Sequence, residues 1–181
     1  VSPEDPRSYY SIARKIAAER PNAVLGNQYD NPANCEAHYK TTGPEIWEQM
    51  AHRLDFYVAG VGTGGTVSGT SKFLKEVNPK LKTIGIDPVG SILTDYHRTG
   101  KKVEAHPYLI EGVGEDIIPD NVKFPLIDDF VQVSDQEAIT ALHRLAKEEG
   151  IFAGSSCGMA VAGALKYAQK LNGGRMLVIL P

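Results

Sequence analysis

Residues 60–69 constrain the fold of this chain more than any other segment, because glycines alternate there with small and hydroxyl-bearing residues. The segment follows the apolar run 56–59 and precedes an amphipathic stretch, 67–77. Glycines permit a positive φ and let backbone amides approach an anion closely. The first turn of a helix adds unpaired N–H groups and the positive end of the helix dipole. The pattern therefore predicts a strand, a glycine turn and a helix that together bind a phosphate group.

Strand-like and helix-like segments alternate along the rest of the chain. Apolar runs predict strands at 56–60, 83–87, 130–133 and 176–180, and a short one at Val24 and Leu25. Helical spacing predicts helices at 9–17, from Pro44, at 67–77, from a capping box at 134–137 to 150, and from 154–158 to 171. We expect an ordered loop over 27–34 and an irregular connection over 90–127. This alternation indicates an α/β fold: a three-layer, open and mostly parallel sheet with helices on both faces.

The glycine turn is predicted to lead into a helix with one buried side. That side is formed by Val67, Thr70, Ser71, Leu74 and Val77. Ligands of open parallel sheets bind at the carboxyl ends of the strands, where both glycine-rich segments fall.

Composition excludes several classes of function. The chain has 181 residues, a net charge of −3 and no basic tract, which argues against nucleic acid as a partner. Cys35 and Cys157 are its only cysteines and lack metal-ligand spacing, so we predict no metal site and reduced thiols in a cytoplasmic protein. No apolar run is long enough to predict a membrane span or a signal peptide. The chain starts without methionine and stops inside a predicted strand, so we expect a piece of a longer protein.

The turn alone is compatible with more than one kind of phosphate ligand. Gly60, Gly62 and Gly65 match the dinucleotide fingerprint, and Asp87 lies at the end of the next strand, where the ribose-binding acid of that fingerprint belongs. The same residues are also compatible with a tight turn between a strand and a helix that binds no ligand. Thr63 and Thr66, however, place two hydroxyls beside the turn, which suits a terminal phosphate monoester better than a pyrophosphate. A second polar loop, 154–158, could contact the far end of a small aromatic ligand.

Five motifs together resemble one family. They are 62–66 (GTGGT), 28–34 (QYDNPAN) with His38, 41–45 (TTGPE), 85–91 (GIDPVGS) and 111–119 (EGVGEDIIP). The chain resembles the fold-type II pyridoxal-phosphate (PLP) enzymes over nearly its whole length, in the branch of the cystathionine β-synthases and cysteine synthases. The resemblance implies PLP as cofactor and small amino acids as substrates. The acidic 111–119 motif and the 90–93 sequence favour the cystathionine β-synthases, which are lyases that join L-serine to L-homocysteine.

The resemblance also implies roles for individual residues. Gly62, Thr63, Gly64, Gly65 and Thr66 would bind the PLP phosphate, in agreement with the turn chemistry. Ser156 would hydrogen-bond the pyridine nitrogen, although Ser155 or Ser156 could instead simply cap the following helix. Gln28, Tyr29 and Gly112 would line the amino-acid pocket. Glu115 stands where some members have tyrosine, and it could bind the amino group of a second substrate or be merely solvated.

The family's Schiff-base lysine is not found in its expected sequence context, so we assign no catalytic residue within this chain and expect the piece alone to be inactive. Residues 1–30 would end the smaller amino-terminal domain and residues 31–181 would form the larger, phosphate-binding domain. The resemblance implies a homodimer for the full-length protein. Three alternatives remain at this point: a cysteine synthase, a dinucleotide-binding oxidoreductase, and a domain without catalytic activity.

Overall fold

The computed structural model describes residues 5–181. Four strands are present: β1 (Phe56–Gly60), β2 (Lys82–Pro88), β3 (Asp129–Val133) and β4 (Met176–Val178). The helices are α1 (Tyr9–Glu19), α2 (Ala33–Lys40), α3 (Thr42–Gln49), α4 (Gly65–Val77), α5 (Leu93–Thr99), α6 (Asp135–Glu149) and α7 (Ser155–Ala168), with a 3₁₀ turn at Phe124–Leu126. No helix within residues 5–181 has the length and apolar character needed to cross a bilayer.

The strands form one parallel sheet in the order β3-β2-β1-β4. In its register, Val58 of β1 lies between Ile84 of β2 and Val178 of β4. Because all strands run in the same direction, their carboxyl ends meet at one edge of the sheet, where the glycine turn begins.

Alternate side chains of the strands enter two separate cores. Tyr57 and Ala59 of β1 pack with α3 and α4 on one face, whereas Val58 packs with α6 and α7 on the other. The predicted α/β class, with helices on both faces of a parallel sheet, is confirmed. Burial of both faces explains why the strands are almost continuously apolar rather than alternating.

The contact between α2 and α4 explains two glycines of the predicted phosphate segment. A Cβ on Gly65 would lie 1.8 Å from Oδ1 of Asn34, and a Cβ on Gly69 would lie 2.1 Å from the carbonyl oxygen of Cys35. These glycines let the two helices approach each other at backbone distance. Ligand binding is therefore not the only constraint on this glycine-rich segment.

Three local predictions, on 24–25, on 27–34 and on Val77, are wrong. Val24 and Leu25 form no strand, since both are exposed and no neighbouring strand pairs with them. The loop predicted over 27–34 ends early, because α2 starts at Ala33 within a weakly amphipathic sequence. The connection 90–127 is partly structured, since it contains α5 and the 3₁₀ turn. Val77 is 42% exposed because it lies at the end of α4, beyond the sheet.

Candidate active site

A cleft of about 1360 Å³ opens at the carboxyl ends of β1 and β4. Its walls come from the glycine turn, the loop before α2, the start of α1 and the segment 105–116. The residues named by the sequence predictions that line it are Gly62, Thr63, Gly64, Gly65, Thr66, Gln28, Tyr29, Gly112 and Glu115. The structure thus brings together residues that are up to 87 positions apart in the sequence.

The glycine turn presents backbone amides to the cleft. Gly64 has a φ of 91° and occupies the N-cap of α4, where no side chain caps the helix. The first N–H groups of a helix lack intrahelical acceptors, so the amides that follow Gly64 are free to bind an anion. A Cβ on Gly64 would lie 2.6 Å from the backbone nitrogen of Val122, so both the backbone conformation and the available space require glycine here.

Two threonine hydroxyls flank these amides and are oriented by neighbouring side chains. The Asn34 amide donates to Oγ1 of Thr63 at 3.3 Å, which leaves the threonine proton available for a ligand. Oγ1 of Thr66 lies 3.1 Å from Nε2 of His38, whose Nδ1 lies 2.9 Å from Oγ1 of Thr42. Burial lowers the pKa of His38, so the ring is neutral at neutral pH.

The side-chain amides of two asparagines, the buried Asn121 and the half-buried Asn34, hold the loop that carries Gln28 and Tyr29. Nδ2 of Asn121 donates to the carbonyls of Gln28 and Asn31, both at 3.0 Å. Nδ2 of Asn34 donates to the Gln28 carbonyl at 2.9 Å. The backbone N–H of Asn121 also donates to the Tyr29 carbonyl at 3.1 Å. These bonds fix the loop against the glycine turn, so Gln28 and Tyr29 are held at the cleft.

Glu115 is the one glutamate in the cleft wall that is buried, with 9% of its surface exposed. Its backbone is fixed by Ser91, whose hydroxyl accepts from the Glu115 N–H at 3.0 Å and donates to its carbonyl at 3.3 Å. Burial, with smaller contributions from Asp116 and Asp87, raises the pKa of Glu115 to about 7. A desolvated carboxyl facing a cleft is well suited to bind a cationic group of a ligand.

Asp87, which the dinucleotide interpretation requires, does not line the cleft. It is fully buried, and its Oδ2 accepts from the Thr94 N–H at 3.0 Å and from the Thr94 hydroxyl at 2.7 Å. The carboxylate therefore stabilises the first turn of α5 and cannot reach the ribose of a nucleotide.

Ser156 lies apart from the other predicted site residues. It is half-buried at the second position of α7 and is absent from the residues that line the cleft. The N-cap of α7 is Gly154, and no side chain caps this helix, so the capping alternative does not apply. Pro181, which does line the cleft, accepts a hydrogen bond from Sγ of Cys157 at 3.1 Å. The start of α7 thus adjoins the cleft, and the role of Ser156 stays a prediction.

A family model described as "pyridoxal-phosphate dependent enzyme" matches residues 1–181. The chain belongs to this family. Its cofactor is accordingly pyridoxal 5'-phosphate, as the sequence motifs predict.

Curated relatives come from two groups of this family. The chain is 41% identical to the cystathionine beta-synthase of Apis mellifera, over 97% of this chain and 35% of that enzyme. It is 40% identical to cysteine synthase A of Escherichia coli K12, over 93% of this chain and 54% of that enzyme. It is 39% identical to cysteine synthase 1 of Neurospora crassa, over 99% of this chain and 49% of that enzyme. The chain thus spans between about a third and about half of the length of these relatives.

The residues of the cleft fit the phosphate end of PLP. The uncapped start of α4 offers amide donors, and Thr63 can donate its hydroxyl proton, which together suit the several oxygens of a monoester. When bound, PLP withdraws electrons from the Cα of an amino-acid substrate. The residues of 5–181 that line the cleft include no lysine.

Sequence reasoning missed several residues that build the site. Asn34 and Asn121 hold its loops, and Tyr9, Tyr10 and Tyr108 line its walls. His38 was noted within a motif but was given no role, whereas the structure places it behind Thr66. The tandem tyrosines beside a helix start were a usable signal. The asparagine contacts gave no usable signal in the sequence, because they join segments up to 93 residues apart.

Proposed function

We propose that the chain is part of a PLP-dependent enzyme that forms L-cystathionine and water from L-serine and L-homocysteine. In this β-replacement the Cβ–O bond of serine breaks and a bond from Cβ to the homocysteine sulfur forms. The observation that carries the proposal is the buried carboxyl of Glu115 in the cleft wall. Homocysteine brings an ammonium group to the cleft, whereas the sulfide used by a cysteine synthase does not. A desolvated carboxyl in the cleft wall can therefore bind the ammonium group of homocysteine when cystathionine is formed. In the reaction with sulfide, the second substrate has no ammonium group for it to bind.

The other cleft residues divide between cofactor and first substrate. The amides and hydroxyls of 62–66 bind the cofactor phosphate, and Ser156 hydrogen-bonds the pyridine nitrogen. A neutral hydroxyl at that nitrogen, unlike a carboxylate, does not keep it protonated, which favours elimination and replacement at Cβ. Gln28 contacts the carboxylate of the first substrate, and Tyr29 lies close by. Gly112, whose φ is 77° and whose Cα faces open space, forms a flexible part of the pocket wall.

The lysine that forms the Schiff base with PLP is supplied from outside these 181 residues. This part of the proposal is supported by the cleft lining of 5–181, which contains no lysine, and by the partial coverage of the relatives. We further propose that residues 1–30 end a smaller domain, that residues 31–181 form the larger one, and that the full-length protein is a homodimer. The domain division is supported by α1, in which no residue is fully buried.

The test compares substrate pairs on the full-length protein loaded with PLP. We expect cystathionine from L-serine with L-homocysteine at a higher kcat/KM than cysteine from O-acetylserine with sulfide. The product of each reaction is measured directly by mass spectrometry. If the second pair is turned over and the first yields no cystathionine, the protein is a cysteine synthase and the proposal is wrong.

A further inference from the structure

The connection between α7 and β4 contains an asparagine followed by a glycine, Asn172 and Gly173. Asn172 is the only asparagine of the chain in that sequence context, and both residues are exposed. The connection enters β4 at its amino end, whereas the cleft opens at the carboxyl ends of the strands. The pair therefore lies outside the candidate active site.

An asparagine side chain reacts with the backbone nitrogen of the residue that follows it. A bond forms between that nitrogen and Cγ of the asparagine, and the amide NH₂ leaves as ammonia with the proton of the attacking nitrogen. Water then opens the resulting cyclic imide at either carbonyl, which gives aspartate or isoaspartate. The reaction needs only water, and it is hindered by a side chain on the following residue, which glycine lacks.

The structure leaves both reacting groups of this pair mobile. Within residues 5–181, neither the N–H of Gly173 nor the side-chain amide of Asn172 makes a hydrogen bond to the protein. Gly173 has a φ of 128°, and no atom lies within 4 Å of a Cβ built on it. The fold therefore does not hold the nitrogen away from Cγ, as it would in a helix or a strand.

The connection is anchored at its two ends. The N–H of Leu171 donates to the Ala168 carbonyl at 3.0 Å, and the N–H of Arg175 donates to the Asp55 carboxylate at 2.7 Å. In the part of the chain that the structure describes, the backbone N–H groups of 172–174 between these anchors have no acceptor in the protein. The extra main-chain methylene of an isoaspartate can therefore be accommodated without breaking either anchor.

The other asparagines lack one of these requirements. In five of them the next residue is proline, which has no N–H, or the side-chain amide is hydrogen-bonded: Asn31, Asn78, Asn27, Asn34 and Asn121. Asn22 is exposed like Asn172, but Ala23 follows it and donates its N–H to the Arg20 carbonyl at 3.0 Å. Asn22 is thus a matched comparison within the same molecule.

We propose that Asn172 is a site of spontaneous deamidation and isomerisation in the folded protein. The reaction adds a negative charge to the net charge of −3. Its isoaspartyl product is the chemical group on which protein carboxyl methyltransferases act, so the aged protein is a substrate for an enzyme of that class. Because residues 171–175 do not line the cleft, the modified protein keeps its catalytic activity. The inference does not depend on the proposed function.

The test follows the full-length protein at mildly basic pH in water enriched in heavy oxygen. After digestion in ordinary water, mass spectrometry locates each heavy-oxygen atom that was taken up during the incubation. We expect the rate at Asn172 to exceed the rate at Asn22 by about tenfold or more. A second incubation in urea should give a rate at Asn172 within about tenfold of that in the folded protein. Asn172→Gln keeps an amide but needs a larger ring, so position 172 should stay unmodified in this variant.

Equal rates at Asn172 and Asn22 in the folded protein overturn the proposal. A reaction at Asn172 that occurs only in urea also overturns it, because the fold would then protect the pair. Ion exchange separates the acidic product, which a carboxyl methyltransferase should methylate, and an aged protein that accepts no methyl group contradicts the formation of isoaspartate. The acidic form should keep its kcat/KM within about twofold of the fresh protein, with whichever substrate pair the wild type uses. A larger loss would contradict the placement of the connection outside the site.

Discussion

Glu115 combines burial in the cleft wall, which disfavours its ionised form, with the position proposed to bind an ammonium group. Only 9% of the surface of the residue is exposed, while Ser91 and Ile92 hold its backbone in place through the N–H and the carbonyl. Asp116 and Asp87 add negative charge to the same region. An ionised carboxylate is therefore disfavoured until a cation arrives, and an incoming ammonium group supplies that cation.

The raised pKa predicts the sign of a pH effect on stability. Between the ordinary value of 4.5 and about 7, the folded protein binds more protons at Glu115 than the unfolded chain does. Stability is therefore lost as the pH rises through this window. We expect Glu115→Gln, which cannot ionise, to raise the melting temperature at pH 8 relative to the wild type and to have a smaller effect at pH 5.

Thermal unfolding of the full-length protein without added substrates, followed by circular dichroism, measures this effect. The control is Glu111→Gln, an exposed carboxyl in the same segment. A melting temperature of Glu115→Gln that falls further below the wild type at pH 8 than at pH 5 would show that the carboxylate is stabilised in the fold, contrary to this account.

At the scale of elements, the contact of α2 with α4 positions the glycine turn. Asn34 of α2 binds Thr63, and His38, one turn further along, binds Thr66. These bonds are possible because Gly65 and Gly69 let the helices approach closely. The helix pair thus connects the packing of one core to the orientation of both threonine hydroxyls.

Gly69→Ala tests this connection. The added Cβ would meet the Cys35 carbonyl at 2.1 Å, a backbone atom that cannot swing aside. We expect a loss of about 1–3 kcal/mol in the free energy of unfolding, despite the better helix propensity of alanine. Urea unfolding gives the value, with Gly26→Ala as the control because no atom lies within 4 Å of its added Cβ. Stabilisation by Gly69→Ala would show that the helices can separate at no cost.

At the scale of the whole molecule, the sequence predicted the parallel α/β architecture and the place of the phosphate turn. Both follow from local signals: apolar runs such as 56–59, and glycines before an amphipathic segment. The capping box at Ser134 and Glu137 is present as predicted. Asp87 was open to two interpretations in the sequence, and its burial against Thr94 decided between them.

The parts that escaped prediction depend on contacts between distant segments. Asn121 holds the loop at Gln28 from 93 residues away, and no pattern within a window can show this. Helix α2 has a weak amphipathic pattern because it packs through backbone contact with glycines of α4. The sequence pattern indicates Tyr9 only as an apolar position of α1, and the fold places its hydroxyl 2.6 Å from that of Tyr29.

The central claim is that the turn at 62–66 binds the phosphate of PLP. The most direct test is to compare the affinities of the full-length protein for PLP and for pyridoxal, which lacks the phosphate, in the wild type and in Thr63→Val/Thr66→Val. Thr140→Val, on the exposed side of α6, is the control. The account predicts that wild-type protein prefers PLP by about a hundredfold or more, and that the double variant reduces this preference by about tenfold while its affinity for pyridoxal is unchanged. The account would be contradicted if the double variant kept the wild-type ratio of the affinities for PLP and pyridoxal. It would also be contradicted if the wild type bound PLP and pyridoxal with equal affinity.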